Sequence, residues 1–178
     1  MKCGRTIAMR KPIVFLLACL APNVAQAAPS LSDIDFLIGH WTSGEGKVAD
    51  TGGISKGSST ITFEAGGKAL LRRDHTDLFD AKGAHTGGFD QVMIVYADGG
   101  AIHADYVDGE GHAIHYTSAT VTPGKEVTFS SAPGAGPVFQ LSYEMKTADT
   151  LAVTFGMTPP GQTAFRPIAT GTLKKSAD

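Results

Sequence analysis

Four residues in one short stretch, His103, Asp105, His112 and Tyr116, combine two imidazoles, a carboxylate and a phenol. Two histidines and an aspartate are the ligand types of a zinc site, and a histidine beside an acid is also a general base. A glycine-bearing run, Asp108-Gly109-Glu110-Gly111, separates the two halves and reads as the loop of a hairpin. If those four residues are the loop, His103 faces Tyr116, Asp105 faces Ile114 and Val107 faces His112. One face then carries His103, Asp105, His112 and Tyr116. The other carries Ile102, Ala104, Tyr106, Ala113, His115 and Thr117. His103 and His112 sit at opposite ends of that hairpin, too far apart to share one ion. The first face therefore reads as solvent-facing and the second, with Tyr106 and His115, as a cavity wall.

A second cluster is Arg72-Arg73-Asp74-His75-Thr76-Asp77. Arg73, His75 and Asp77 share one strand face, and Arg72 and Asp74 the other. An arginine pointing into a core requires an acidic partner or an anionic ligand. Arg72 or Arg73 thus suits either an internal salt bridge or a ligand carboxylate. Gly53-Ile54-Ser55-Lys56-Gly57 matches the Gly-x-Ser-x-Gly elbow of serine hydrolases. The elbow needs a strand-to-helix turn, and here a strand-like run, SSTITFEA, follows. The match is read as coincidence.

The elements that must hold these groups are strands. Short β-branched and aromatic runs recur every ten to twelve residues between glycine and proline turns, near 41–48, 58–64, 69–78, 91–97, 101–107, 112–121, 126–131, 138–146, 151–157 and 165–174. They predict an all-β domain, a single antiparallel up-and-down barrel of about ten strands, over residues 28–178. A short N-terminal helix over 31–38 precedes it, with Ser30 and Asp33 as its capping pair and Gly39 as its stop. Trp41, the only tryptophan, reads as a plug at one barrel end with a ligand-stacking role as the alternative. His40, its neighbour, points to the opposite face. Proline- and glycine-rich loops at 133–137 and 158–161 read as rims of a barrel mouth.

The first 27 residues read as a secretory signal peptide: a basic start, the apolar run PIVFLLACLA and Ala25-Gln26-Ala27. Cleavage after Ala27 removes both cysteines, Cys3 and Cys19, and predicts a periplasmic or secreted protein. Lipidation of Cys19 is the rival reading. Four of the 15 basic residues lie in this leader and all 17 acids beyond it, so the remainder has a net charge of −6. That balance argues against nucleic-acid binding, and no apolar run after the leader is long enough for a membrane helix.

Phe36-Leu37-x-Gly39-x-Trp41-x-x-Gly44-x-Gly46, following a short helix, resembles the first strand of calycin-type barrels, the lipocalin and nitrobindin-like group. The runs 67–75 and 104–116 are similar to uncharacterised secreted bacterial lipocalin-like proteins. The resemblance implies a barrel that binds something apolar or planar. In nitrobindins that is haem, held by a histidine on the last strand. Here that segment, 166–173, reads RPIATGTL and has none, so the resemblance does not carry haem ligation over. The resulting expectation is interior binding of a small, largely apolar ligand, including one that bears a carboxylate, by Trp41, Arg73, His75, Tyr106 and His115. The competing expectations are an isomerase or hydrolase using His75 or His115 as general base, and a structural module with a filled interior.

Overall fold

The computed structural model describes residues 28–44 and 46–176. The leader expected over 1–27 lies outside them. The strands are β1 (Gly39–Ser43), β2 (Gly46–Val48), β3 (Ile54–Glu64), β4 (Ala69–Phe79), β5 (His85–Asp98) and β6 (Ala101–Asp108). They continue as β7 (Ala113–Thr122), β8 (Glu126–Ser131), β9 (Val138–Thr147), β10 (Thr150–Thr158) and β11 (Arg166–Lys175). All pairings are antiparallel, and each strand from β3 to β11 bonds the next one in sequence. β1 and β2 both lie between β3 and β11, so they are two halves of one stave. The result is a closed barrel of ten staves, which leaves no free sheet edge among the described residues.

The N-terminal helix is a 3-10 helix, Leu31–Leu37. Its repeat of three residues per turn explains why the buried face is Leu31, Ile34 and Leu37. The Ser30 amide donates to Asp33 Oδ2 at 2.8 Å, and the Gly124 amide in the β7–β8 turn donates to Asp33 O at 2.8 Å. The helix is thereby tied across one end of the barrel. Gly39 follows at φ +135°, a conformation that disfavours a side chain, and a Cβ there would meet Lys175 Cε at 2.7 Å.

Trp41 then enters the barrel. It is 1% exposed, its indole N–H donates to Leu37 O at 2.8 Å, and Lys175 Nζ lies 5.3 Å from its ring. Around it pack Ile61, Leu70, Met93, Val95, Ile102, Ala104, Val127, Phe129 and Leu151. This half of the interior is filled. His40, one residue earlier, is exposed and bonds Thr60.

The Gly-x-Ser-x-Gly stretch enters strand β3, where Ser55 pairs with Leu78 of β4. No helix follows it directly, and the elbow geometry is absent from these described residues.

Candidate functional site

The other half of the barrel is hollow. A cavity of about 820 Å³ extends from the packed end towards the β6–β7 turn, where Glu110 and His112 form part of the rim. The alternating up-and-down order brings the loops 132–137 and 159–165 to that same end. Ligand cavities in folded proteins commonly fall within ~300–1,000 Å³.

Its two sides differ in chemistry. Strands β9, β10 and β11 supply an apolar wall of Phe139, Leu141, Val153, Phe155, Met157, Ile168 and Leu173. The Phe139 and Phe155 rings lie parallel, 6.0 Å apart and 7° from coplanar. Strands β3 to β7 supply Ser55, Ser59, Arg72, Asp74, Thr76, Gln91, Tyr106, Asp108 and Tyr116.

Arg72, Asp74, Thr76, Gln91, Tyr106 and Asp108 form one connected chain. The Arg72 guanidinium donates from Nη2 to Asp74 Oδ2 at 2.8 Å and to Gln91 Oε1 at 3.0 Å. From Nη1 it donates to the Tyr143 hydroxyl oxygen at 2.5 Å. The Tyr106 ring lies 5.8 Å from the guanidinium, and its hydroxyl donates to Asp108 Oδ2 at 2.9 Å. Gln91 donates through its amide to Thr76 Oγ1 at 2.7 Å. Asp108 Oδ1 also accepts the backbone N–H groups of Glu110 and His112.

Burial and pairing set the charge states along this chain. Burial works against the Arg72 charge, but Asp74 and the neighbouring phenols outweigh it and hold the guanidinium above its ordinary range. Burial pushes the Tyr143 hydroxyl up to about 12. Burial also raises Tyr116, against the opposing pull of Arg72. Burial by itself would raise the Asp108 carboxyl. The His112 backbone N–H, the Tyr106 hydroxyl and the His112 imidazole outweigh it and keep the carboxyl below the usual range. At neutral pH the wall therefore carries an ionised Asp108, a cationic arginine and protonated phenols.

The five residues expected at the site do not come together. Tyr106 lines the cavity as expected. Trp41 is in the sealed end and is not among the cavity-lining residues. Arg73 is exposed on the outer face, where it pairs with Thr60 and Val92, and Arg72 takes the inner position. His75 borders the cavity along β4, but its imidazole is half exposed and bonds Asp90 Oδ1 at 2.7 Å on the outer side. His115 is exposed and bonds Asp105.

The error at His115 has one cause. The β6–β7 loop is Gly109-Glu110-Gly111, one residue shorter than expected, and Asp108 bonds His112 across it. Gly111 at φ +91° and the Asp108 carboxylate close this three-residue turn. The register shifts by one: Ala104 faces Tyr116, Asp105 faces His115 and Tyr106 faces Ile114. A one-residue slip moves every side chain of a strand to the opposite face. Tyr116 therefore turns inward and His115 outward. Asp74, which the sequence placed on the same strand face as Arg72, completes the inner set with Gln91, Asp108 and Tyr143, which were not expected at the site. The signal for β4 was its phase: Arg72 and Asp74 share the parity of Leu70, which is fully buried.

Asp108, Glu110 and His112 have ligand atoms close enough to share an ion. Asp108 is already bonded to Tyr106 and to the turn, and these contacts account for the grouping.

No family model matches the sequence, and no curated protein sequence matches it. Among solved structures, the chain is similar to Rv2717c from M. tuberculosis, with a TM-score of 0.56 and 15% identity over 85% of this chain and 100% of that one. It is also similar to the S-type phycobiliprotein lyase CPES from Guillardia theta, with a TM-score of 0.52 and 10% identity over 85% of this chain and 96% of that one. These likenesses show a shared fold, that of the antiparallel β-barrel described above.

Proposed function

We propose that this protein binds a small, largely apolar molecule inside its barrel. The observation that carries this reading is the 820 Å³ cavity with one apolar wall and one polar wall. Burying apolar ligand surface against Phe139, Phe155 and the aliphatic side chains supplies affinity, and the Arg72–Tyr106–Asp108 wall fixes orientation. The parallel Phe139 and Phe155 rings suit a flat or slender ligand body.

The catalytic alternative relied on His75 or His115 as an internal general base. Both imidazoles lie on the outer face, and a base must reach its substrate proton within hydrogen-bond distance. The filled-module alternative predicted no cavity.

We read residues 1–27 as a leader removed on export, which makes the working protein periplasmic or secreted. N-terminal sequencing of the protein from its own cells tests this, with Ala28 as the expected first residue. The binding reading is tested by native mass spectrometry of the protein purified from the same source. A retained small molecule is the expected result. No retained species, together with no thermal shift across haem and fatty-acid panels, overturns it.

A further inference from the structure

Three charged side chains that line the cavity are withdrawn from solvent. Arg72 is 7% exposed, Asp74 15% and Asp108 4%. The other lysine, histidine and acidic residues on the lining, Lys56, His75, Glu110 and His112, are exposed. The interior thus holds one cation and two anions, and the cation already has a carboxylate 2.8 Å away. An incoming carboxylate would meet no uncompensated positive charge and would lie within range of two negative ones. Like charges close together in a partly desolvated site are costly, and burying a charge without a partner is costlier still.

A hydrogen-bonding position is nevertheless open. The Tyr116 hydroxyl has no hydrogen-bond partner among the described residues, although its ring is 1% exposed and lines the cavity. It lies near Arg72 and Tyr143, and a phenolic hydroxyl without a partner has a proton to donate to a group entering the cavity. Close by, Ser59 Oγ, Arg72 Nε and Asp74 Oδ1 are the buried polar side-chain atoms without a partner among the described residues. Ser59 pairs directly with Asp74 across β3 and β4, so all three gather at one place. Buried polar atoms are almost always bonded in native proteins, and a cluster of exceptions beside a cavity marks where a polar group is missing.

From this arrangement we infer that the ligand's polar end is an uncharged hydrogen-bond acceptor, an alcohol or an amide, that takes a hydrogen bond from the Tyr116 hydroxyl, and that the interior rejects carboxylates. This inference rests on the interior-binding reading and specifies its head group.

Three probes with one apolar body test it: 2-naphthylmethanol, 2-methylnaphthalene and 2-naphthoate, each titrated calorimetrically into the full mature chain. The alcohol is expected to bind tightest, the hydrocarbon several-fold weaker and the carboxylate at least about tenfold weaker than the alcohol. Tyr116→Phe should erase the difference between alcohol and hydrocarbon. Asp74→Asn should free the Arg72 charge and strengthen naphthoate binding about tenfold. Equal or tighter binding of naphthoate by the unmodified protein overturns the inference. So does a Tyr116→Phe variant that still favours the alcohol. If Asp74→Asn does not fold, the order of the three probes on the unmodified protein decides alone. Binding of all three with equal affinity removes the head-group inference and leaves interior binding intact, whereas no binding of any probe counts against both.

Discussion

The inner and outer faces of strands β4 to β7 are built from the same residues in alternation, yet they carry different chemistry. Outside, His75 bonds Asp90, His85 bonds Asp77 and His115 bonds Asp105. All three pairs are exposed; Asp77 Oδ1 also lies 3.6 Å from His75 Nε2, so the first two share one small surface cluster and the third stands apart. Inside, Arg72, Asp74, Gln91, Tyr106 and Asp108 form one continuous chain beside a cavity. Histidine–aspartate pairs look catalytic in a sequence, but here they decorate a surface. The groups able to meet a ligand are an already paired arginine and a set of phenols. A pair in water contributes little, because solvent screens it. The inner chain is different: removing one member leaves the others buried and unpaired.

Adjacent arginines give the sharpest way to break this contrast. Arg72→Ala strands Asp74 and removes a partner from Tyr143 and Gln91, and should cost about 3–5 kcal/mol of unfolding free energy. Arg73→Ala, one residue along and facing solvent, should change stability by less than about 0.5 kcal/mol. Chemical denaturation of the two variants measures both. Similar losses would mean that the alternation assigned to β4 is wrong. Trp41→Ala belongs with Arg72 in size, at about 3–5 kcal/mol, because it empties the sealed end and drops the bond to Leu37.

The fold was largely legible because period-two runs and turn residues are local signals, and all ten staves were placed from them. Two strands were read short. β3 begins at Ile54 and β5 at His85, several residues before the expected starts. Glycines there resemble loop residues but serve close strand approach. A Cβ on Gly57 would fall 1.9 Å from His75 O, and one on Gly88 2.7 Å from Thr76 O. The site was less legible because its assignment depends on parity. β4 has polar residues on both faces and β5 apolar residues on both, with Met93 and Val95 buried and Val92 and Ile94 exposed. Neither pattern by itself says which face is inside. The β6–β7 register turned on whether a loop has three residues or four, and that choice exchanged Tyr116 for His115.

Within the inner chain, two tyrosines separate a structural bond from an open one. Tyr143→Phe removes the hydroxyl that accepts from Arg72 and should cost about 1–2 kcal/mol. Tyr116→Phe removes a hydroxyl without a partner, and its stability should stay within about 0.5 kcal/mol of the parent. Thermal and urea unfolding of the pair tests this, and an equally large loss at Tyr116 would show that its hydroxyl is engaged within the protein.

The smallest effect belongs to the outer face. The bond to Asp90, with help from Asp77, raises the His75 imidazole above its usual value, near 6.5. A raised folded-state value means that the folded protein holds this proton more tightly than the unfolded chain does. The contribution is fully present below about pH 6.5 and is lost as pH rises through the folded value. Stability attributable to His75 should therefore decline on the alkaline side of 6.5, and a His75→Gln variant should lack that decline. NMR titration of the imidazole reads the same shift directly, with Asp90→Asn moving the midpoint back down. Because both partners are exposed, added salt should shrink the shift. A midpoint that salt leaves unmoved would place the pair in a drier setting than the outer wall, and the contrast between the two faces would fail at the residue where it is easiest to measure.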